Sequence, residues 1–327
     1  MNQEKKTVVF SQAIHDDAMR AVSEKHTIHI AESTVTTDYL DQLREAEALV
    51  LRLGVMSREI IESCPKLEVI AWPGVGVDTI DVVAATEHGI PVVVTPGAST
   101  RSVAEHTMAL LYAIAKNIPE SNAEIRKGNY GIRSKGVAVD LHDRVVGIVG
   151  FGNIGRATAR LMRNNGMTVK VYDPYVTREA AEEVGCSYEP DLYTLLGDVD
   201  VISLHLPSLP ETRHMLGKME FAAMKEGMLF LNCARGDVVV EDALYAAMLD
   251  GTVAAAAVDV MEAEPMDPAN PLFNLPNFVA TAHSAAQSRE AYKRVSDMVA
   301  GGVLATLAGE KWTYVCNPQV YTHKRWK

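Results

Sequence analysis

The sequence predicts an α/β protein with two Rossmann-like or flavodoxin-like parallel-sheet domains separated by a cleft. Three observations support this prediction. The 327 residues are 48% hydrophobic, which is enough for two separate cores. Short β-branched runs alternate with amphipathic segments along most of the chain, as they do in βαβ units. A glycine-rich turn near the middle of the chain lies between an apolar strand pattern and a helix pattern.

The first series of strands and helices covers the residues up to about 100. Its predicted strands are Val8–Phe10, Thr27–Ile30, Leu49–Leu51, Leu67–Trp72 and Pro91–Thr95, with amphipathic segments such as Thr37–Ala46 between them. A helix then runs through about Lys116. The capping-box spacing of Ser102 and Glu105 predicts its start, with the Ser102 hydroxyl accepting a backbone N–H and Glu105 reaching back.

The second series predicts a doubly wound sheet. Its strands are Val145–Val149, Thr168–Tyr172, Val199–Leu204, Met228–Leu231, Val253–Val260 and Phe278–Thr281, and a helix covers Ile154–Asn164. A last helical pattern at Ser288–Leu307 follows the sheet. We therefore predict a substrate domain from residues 1–101 plus 285–327, and a cofactor domain from residues 102–284.

Charge and cysteine content argue against several classes of function. The net charge of −11 opposes nonspecific binding to nucleic acid or anionic lipid, and no apolar stretch is long enough to span a membrane. The four cysteines include no C-x-x-C pair, so neither a disulfide framework nor a zinc site is indicated. The first residues show no secretory signal, so we expect a cytoplasmic protein that acts on a small molecule.

A dinucleotide-binding motif lies at residues 150–155. Gly150, Gly152 and Gly155 form G-x-G-x-x-G between a predicted strand and a predicted helix. The first glycine permits the tight turn, the second lets a pyrophosphate approach the backbone, and the third allows close packing of helix on strand. The phosphates would lie near Asn153 and Ile154, where the helix N-terminus offers N–H groups and partial positive charge.

An acidic residue, Asp173, ends the next strand about 20 residues further on, as recognition of a ribose requires. A carboxylate there accepts hydrogen bonds from both ribose hydroxyls and repels a 2′-phosphate, which favours NAD over NADP. Pro174 and Tyr175 offer no compensating cation. Arg178 is near enough in sequence to leave NADP open.

Three candidate catalytic residues, Arg235, Glu264 and His283, follow predicted strands of the same sheet. Open α/β sheets bind ligands at the carboxyl ends of their strands. Taken singly, each residue has a structural interpretation, as a surface ion-pair partner, a solvated carboxylate or a structural histidine. Together they supply what reduction of a 2-keto acid requires: a cation for the carboxylate, a proton donor for the carbonyl oxygen, and a group that keeps this donor protonated.

The whole set of motifs resembles the D-2-hydroxyacid dehydrogenases, the family that includes D-3-phosphoglycerate, D-lactate and glycerate dehydrogenases. The similarity runs from about Ala48 to Asn317. Besides the glycine motif, its most specific segments are Gly74-Val75-Gly76-Val77-Asp78, Ser102-Val103-Ala104-Glu105, Asn232-Cys233-Ala234-Arg235-Gly236, Asp259-Val260-Met261-Glu262-Ala263-Glu264-Pro265 and His283.

The resemblance implies NAD as the cofactor and a role for each catalytic candidate. His283 would be the general acid/base, Glu264 its hydrogen-bonded partner, and Arg235 the anchor for the substrate carboxylate and carbonyl oxygen. The nicotinamide amide would lie near Asp259. The other implied cofactor contacts are the backbone of Cys233 and Ala234 and, at the adenine, His205, Leu206, Pro207 and Thr212. Cys233 fits a small packing residue better than a nucleophile, because hydride transfer needs no covalent intermediate.

The resemblance also implies how the substrate is held. The backbone N–H groups of Val75 and Gly76 would bind its carboxylate, as a glycine-bounded turn suits an anion. Arg52 matches an arginine that holds the distal phosphate in phosphoglycerate dehydrogenases, although it is equally consistent with a solvated loop residue. Trp72 and Ser99 depart from the phosphoglycerate-specific pattern, so a sulfonated, dicarboxylic or apolar 2-hydroxy acid fits as well as a phosphorylated one.

Finally, the resemblance implies a homodimer, with the helix from Ser102 and the segment through Tyr130 as the contact surface, and an active site in the cleft. Two alternatives are open. Corepressors that resemble this family use NAD(H) as a sensed ligand without significant turnover, which makes an NAD(H)-sensing binding protein the alternative function. Formate dehydrogenases share the fold but have glutamine in place of Glu264, so this residue argues against them.

Overall fold

The computed structural model describes residues 5–327, which form two compact units. The first consists of residues 5–99 with Gln287–Lys327, and the second of Thr100–Ala286. The predicted domain borders, after residues 101 and 284, lie two residues from the unit borders at each crossing. The first four residues of the predicted first domain are outside the described residues. Among the helices of residues 5–327, none has the length and apolar character that crossing a lipid bilayer requires.

The first unit contains a five-stranded parallel sheet. Its elements up to residue 99 are β1 (Thr7–Phe10), α1 (Asp16–Lys25), β2 (Thr27–Ile30), α2 (Leu40–Arg44, after a 3-10 turn at Thr36–Tyr39), β3 (Ala48–Val50), α3 (Arg58–Glu62), β4 (Val69–Ala71), α4 (Val82–Glu87) and β5 (Val92–Val93). The strand order is β2-β1-β3-β4-β5. The winding reverses between β1 and β3, so the loops that follow these strands leave a crevice at the carboxyl edge of the sheet.

The second unit contains a seven-stranded parallel sheet. Its elements are α5 (Thr100–Ala115), α6 (Ile118–Arg126), β6 (Val145–Val149), α7 (Asn153–Asn164), β7 (Thr168–Tyr172), α8 (Arg178–Glu182), β8 (Ser187–Tyr188), α9 (Leu192–Asp198), β9 (Val201–Leu204), α10 (Lys218–Ala222), β10 (Met228–Asn232), α11 (Glu241–Asp250), β11 (Val253–Val258) and β12 (Phe278–Ala280). Short 3-10 turns lie at Tyr130–Ser134, Gly236–Val238 and Pro271–Asn274. The strand order is β12-β11-β10-β9-β6-β7-β8. Here the winding reverses between β6 and β9, as in dinucleotide-binding sheets.

Helix α12 (Arg289–Leu307) returns the chain to the first unit, where two 3-10 turns follow at Pro318–Thr322 and Lys324–Trp326. Buried residues recur along α12 at Val299, Val303 and Leu307, the spacing of one helix face. They pack with Phe10 and the other core residues on one side of the five-stranded sheet. Burial of this apolar face explains why the C-terminal helix belongs with the N-terminal strands.

The helix α5 begins two residues earlier than the sequence predicted, and the predicted capping box at Ser102 and Glu105 is wrong. Ser102 lies inside the first turn of the helix and is buried. The carboxylate of Glu105 accepts a hydrogen bond from Arg101 Nε at 2.7 Å, one turn earlier on the exposed face. The carboxylate that a capping box would need is therefore engaged in an i,i+4 ion pair with Arg101.

Candidate active site

Strand register brings the predicted site residues of the second unit to one edge of the sheet. Val149 pairs with Tyr172 on one side and with Leu204 on the other, so the residues that follow these three strand ends are neighbours. Asn232 likewise pairs with Leu204 and with Val258, and Val258 pairs with Ala280. The glycine turn, Asp173, His205, Cys233, Asp259 and the segment of His283 therefore begin side by side at the carboxyl edge.

The glycine turn has the shape that a dinucleotide needs. Gly150 has a φ of +91°, and a Cβ on this residue would lie 2.6 Å from the carbonyl oxygen of His205. A Cβ on Gly155 would lie 2.1 Å from the carbonyl oxygen of Gly150, so the helix packs on the turn only with glycine there. A Cβ on Gly152 would meet nothing within 4 Å. That open space, beside the first turn of α7, fits a pyrophosphate.

The start of α7 also has the polar groups that this interpretation requires. Gly152 is the N-cap and provides no side-chain hydrogen bond to the first turn, where Asn153 and Ile154 lie. The N–H groups of a helix start are suited to a phosphate when no side chain caps them. The predicted phosphate contacts therefore coincide with the uncapped end of a twelve-residue helix.

Asp173 is held beside this turn by two backbone N–H groups. Its carboxylate accepts from Phe151 N at 2.7 Å and from Tyr175 N at 2.8 Å. Arg178, the residue that left NADP open, places its guanidinium 5.6 Å from the ring centroid of Tyr188, in a cation–π contact. A fixed carboxylate next to the glycine turn suits ribose hydroxyls and disfavours a 2′-phosphate.

The predicted adenine segment begins after β9. Thr212 closes its loop, because Oγ1 donates to the carbonyl oxygen of Pro207 at 2.7 Å and accepts from Leu209 N at 2.8 Å. The imidazole of His205 contacts the hydroxyl of Ser203 through Nε2 at 2.8 Å. Burial lowers the pKa of His205 to about 3, so this ring is neutral and has a structural role in the loop.

His283 and Glu264 form the centre of the candidate catalytic group. Nδ1 of His283 donates to Oε2 of Glu264 at 2.8 Å. The other ring nitrogen, Nε2, has no hydrogen-bond partner within residues 5–327, which leaves it to exchange a proton with a ligand. The hydrogen bond to Glu264 raises the pKa of His283, and it outweighs the opposing effects of burial and of the positive charge of Arg235.

Arg235 is near enough to His283 for its charge to act on the imidazole. Its loop is held by Asn232, which donates from Nδ2 to the carbonyl oxygen of Arg235 at 2.9 Å and accepts from Ala234 N at 3.0 Å. A Cβ on Gly236 would lie 2.0 Å from the carbonyl of Met261, so the loop fits only with glycine at this point. The motif Asn232–Gly236 thus places a cation near the imidazole of His283, which is hydrogen-bonded to Glu264.

Cys233 is buried beside this group, and burial raises its pKa to about 12. Its thiol is therefore protonated and a poor nucleophile at neutral pH. This agrees with the prediction that Cys233 is a small packing residue. Residues 5–327 contain no cluster of three or more histidine, cysteine, aspartate or glutamate side chains suited to holding a metal ion.

Asp259 has more contacts than the sequence suggested. Its carboxylate is buried and accepts from Thr281 Oγ1 at 2.5 Å, Ser284 N at 2.9 Å and Ala285 N at 2.8 Å. His106 of α5 contacts Thr281 Oγ1 through Nε2 at 2.9 Å. Sequence reasoning missed Thr281 and His106. The strand end at Thr281 was a visible signal, whereas nothing in the sequence pointed to His106.

The predicted substrate residues of the first unit lie after β3 and β4. Arg52 donates its backbone N–H to Ser11 Oγ at 2.8 Å, and its guanidinium lies 5.3 Å from the ring centroid of Tyr292. No carboxylate among the described residues forms an ion pair with Arg52. Val75 is 55% exposed, and within residues 5–327 neither its N–H nor that of Gly76 has a hydrogen-bond acceptor. A cation and two N–H groups are therefore present, as anion binding requires.

The family model for the "D-isomer specific 2-hydroxyacid dehydrogenase, NAD binding domain" matches residues 108–285 of the chain. The chain is 39% identical over 311 residues to the D-3-phosphoglycerate dehydrogenase of Methanocaldococcus jannaschii, covering 95% of this chain and 59% of that protein. It is 38% identical to the glyoxylate reductase of Thermococcus litoralis, covering 86% of this chain and 87% of that protein. The chain spans 59% and 51% of the first two relatives it matches, both D-3-phosphoglycerate dehydrogenases.

Solved structures show the same architecture. The TT0316 protein from Thermus thermophilus superposes with a TM-score of 0.87 at 31% identity, covering 95% of this chain and 99% of that chain. A glyoxylate reductase from Paecilomyes thermophila superposes with a TM-score of 0.86 at 28% identity, covering 97% and 100%. The fold class predicted from the sequence is confirmed by these similarities.

Proposed function

Because the chain belongs to the D-isomer-specific 2-hydroxyacid dehydrogenase family, we propose that it interconverts a D-2-hydroxy acid and its 2-keto acid, with NAD as the hydride carrier. The observation that carries this proposal is the hydrogen bond between His283 and Glu264, 2.8 Å long, at the same sheet edge as the glycine turn. It places an imidazole whose pKa is raised, which favours its proton-donating form, at the same edge as the glycine turn.

In the proposed reaction, His283 protonates the carbonyl oxygen of the keto acid from Nε2 and takes the proton back in the oxidative direction. Glu264 raises the pKa of the imidazole, which favours its charged form, and fixes the ring orientation through Nδ1. Arg235 binds the substrate carboxylate and polarises the carbonyl oxygen. When bound, the nicotinamide supplies or accepts the hydride.

The cofactor would be held by the residues at the carboxyl edge of the seven-stranded sheet. We assign the phosphates to the turn at Gly150, Gly152 and Gly155 with the N–H groups of Asn153 and Ile154, the ribose to Asp173, the adenine to residues 205–207 with Thr212, and the nicotinamide amide to Asp259 near Cys233 and Ala234. The fixed carboxylate of Asp173 favours NAD. Equal Kd values for NADH and NADPH would contradict this assignment.

The substrate assignment rests on the first unit. We propose that the N–H groups of Val75 and Gly76 bind the substrate carboxylate and that Arg52 binds a second anionic group. The support is the guanidinium of Arg52, which is oriented by Tyr292 and has no ion-pair partner among residues 5–327. Trp72, whose ring lies against Gly74, adds an apolar wall. This combination admits phosphorylated, sulfonated and dicarboxylic acids.

A panel of 2-keto acids tests the activity. Glyoxylate, pyruvate, oxaloacetate, sulfopyruvate and 3-phosphohydroxypyruvate would be mixed with NADH and the purified protein, and absorbance at the NADH band followed. We expect sustained NADH consumption with at least one acid. Tight NADH binding without turnover of any acid would instead favour the NAD(H)-sensing alternative. The catalytic pair argues against that alternative, because a sensor needs no proton donor beside its ligand.

We further propose that the protein is a cytoplasmic homodimer. Four large apolar side chains near α6 are exposed, namely Ile118, Ile125, Tyr130 and Val137. Val137 also lines a cavity of about 240 Å³, together with Ile114, Pro119 and Val139. Such apolar surface is typical of an interface. We expect a dimer in sedimentation velocity. Ile125→Glu should weaken this dimer, whereas Val83→Glu, at another exposed position in the first unit, should leave it intact.

A further inference from the structure

The turn that carries His283 has an unusual backbone conformation. His283 has a φ of +48°, in the left-handed region that residues other than glycine seldom adopt. Its N–H donates to the carbonyl oxygens of Asp259, at 2.8 Å, and Thr281, at 3.1 Å. Because the left-handed form is disfavoured in isolation, the surrounding contacts must hold this turn in place.

Those contacts converge on the buried carboxylate of Asp259. One oxygen accepts from the hydroxyl of Thr281 and from Ser284 N, and the other accepts from Ala285 N. The three donors lie on both sides of His283 in the chain, at positions 281, 284 and 285. Asp259 thus holds the turn at both ends, in addition to any contact with a ligand.

His106 extends this arrangement to helix α5. Its Nε2 lies 2.9 Å from Thr281 Oγ1 and 3.6 Å from Asp259 Oδ1. The hydroxyl of Thr281 has one proton, which it donates to the carboxylate, so its lone pair is left to accept from His106. This assigns the proton of His106 to Nε2. The hydrogen-bond chain therefore runs in one direction, from His106 to Thr281 to Asp259.

We propose that His106 and Thr281 are positioning residues for the reaction. Through Asp259 they set the orientation of the left-handed turn and hence the direction in which the imidazole of His283 meets its substrate. The proposal rests on the proposed dehydrogenase function. Neither residue belongs to the core, since both are only half-buried at the carboxyl edge of the sheet, and α5 is anchored by its own buried residues Val103, Thr107 and Met108.

Matched substitutions separate positioning from folding. Thr281→Val removes the hydroxyl with nearly unchanged shape, whereas Thr281→Ser keeps it. His106→Leu removes the donor, whereas His106→Gln keeps one. We expect kcat to fall roughly 10- to 100-fold in Thr281→Val and His106→Leu, because small displacements of a reacting group are costly. The serine and glutamine variants should stay within about 3-fold of the parent, and the Kd of NADH should change by less than about 3-fold in all four.

A second measurement does not depend on turnover. Nuclear magnetic resonance of ¹⁵N-labelled histidine reports the tautomer of His106 and the pKa of His283, which three charged groups face: Glu264, Arg235 and Asp259. We expect the Nε2–H tautomer at His106. In Thr281→Val we expect the pKa of His283 to fall, as the displaced imidazole loses its hydrogen bond to Glu264, and in Thr281→Ser we expect the parental pKa.

The results that overturn the positioning role are distinct from those that overturn the function. Parental kcat and an unchanged His283 pKa in Thr281→Val would reject positioning while leaving the dehydrogenase intact. A rise in the Kd of NADH that matches the fall in kcat would also reject the positioning role. The hydrogen bonds of His106 and Thr281 would then contribute to cofactor binding instead. Should Thr281→Val fail to fold in a thermal melt, the two variants of His106 decide by the same criteria. Absence of turnover in the parent would reject the proposed function. The magnetic resonance data would still show whether His106 and Thr281 fix the orientation of the His283 turn.

Discussion

The two parallel sheets have related strand orders, yet they present different chemistry where their winding reverses. In the second unit, the loop after β6 is a glycine turn, in which Gly152 leaves open space and Asp173 accepts two backbone N–H groups. In the first unit, the loop after β1 begins with Ser11, whose hydroxyl accepts from the N–H groups of Arg52 and Leu53.

This difference shows that strand order places a crevice, while the loops decide what it binds. A pyrophosphate needs close approach of backbone, which glycine allows. A small acid with a second anion needs a fixed cation, and the proposed one is the Arg52 guanidinium, which lies 5.3 Å from the ring centroid of Tyr292. We therefore expect changes at the second sheet edge to affect every substrate, and changes at Arg52 in the first to affect only acids with a second anion.

The largest effect is expected at His283. The change His283→Ala should lower kcat by about 1,000-fold or more with every 2-keto acid, because it removes the group assigned to donate the proton. The Kd of NADH, measured by fluorescence titration, should stay close to that of the parent. His29→Ala, at an exposed position of β2, is the control and should keep full activity. A His283→Ala protein that retains a tenth of the parental kcat would contradict the assignment.

Two glycines of the second sheet edge should give opposite results. Gly152→Ala should raise the Kd of NADH by about 10-fold or more while leaving the free energy of unfolding unchanged, because its Cβ fills only the space assigned to the phosphate. Gly155→Ala should lower the free energy of unfolding by about 2 kcal/mol, since its Cβ would overlap the carbonyl of Gly150. Denaturant unfolding and NADH titration measure both. An unchanged Kd of NADH in Gly152→Ala would contradict the assignment of the phosphates to this turn.

The pH dependence should depend on Glu264. Its hydrogen bond raises the pKa of His283, so Glu264→Gln, which keeps an acceptor and loses the charge, should lower that pKa. Reduction needs the charged imidazole, so the fall of kcat/KM at high pH should move to lower pH. Oxidation needs the neutral imidazole, so its rise with pH should also move to lower pH. If the pH profiles of reduction and of oxidation are both unchanged in Glu264→Gln, Glu264 does not set the pKa of the group that transfers the proton.

The smallest effect, and the one most dependent on the substrate, is expected at Arg52. Arg52→Ala should raise KM about 10-fold for acids with a second anion, because it removes one charge-assisted hydrogen bond. The KM for pyruvate should stay unchanged. Arg52→Lys keeps the charge without the planar stacking on Tyr292, so its KM for these acids should lie between those of the parent and of Arg52→Ala. Equal changes in KM for both kinds of acid would contradict the assignment of Arg52 to the second anion.

Much of the candidate site could be predicted from the sequence because it depends on local chain properties. The glycine motif, Asp173 and the residues after strands carry their own signals in spacing and residue type. The strand limits were less certain. The sequence predicted β11 to continue through Val260, whereas the strand ends at Val258 because Asp259 turns its carboxylate to the chain after β12.

The sequence alone determined three features, since each depends on residues that are neighbours in the chain. They are the alternation of strand and helix patterns, the turn at Gly150–Gly155 and the motif around Arg235. Only the tertiary structure decided that Thr281 and His106, 175 residues apart, share a hydrogen bond, and that Arg52 rests on Tyr292. These contacts depend on strand register and on which helix face meets the sheet. Both follow from burial of the whole apolar surface rather than from any local pattern.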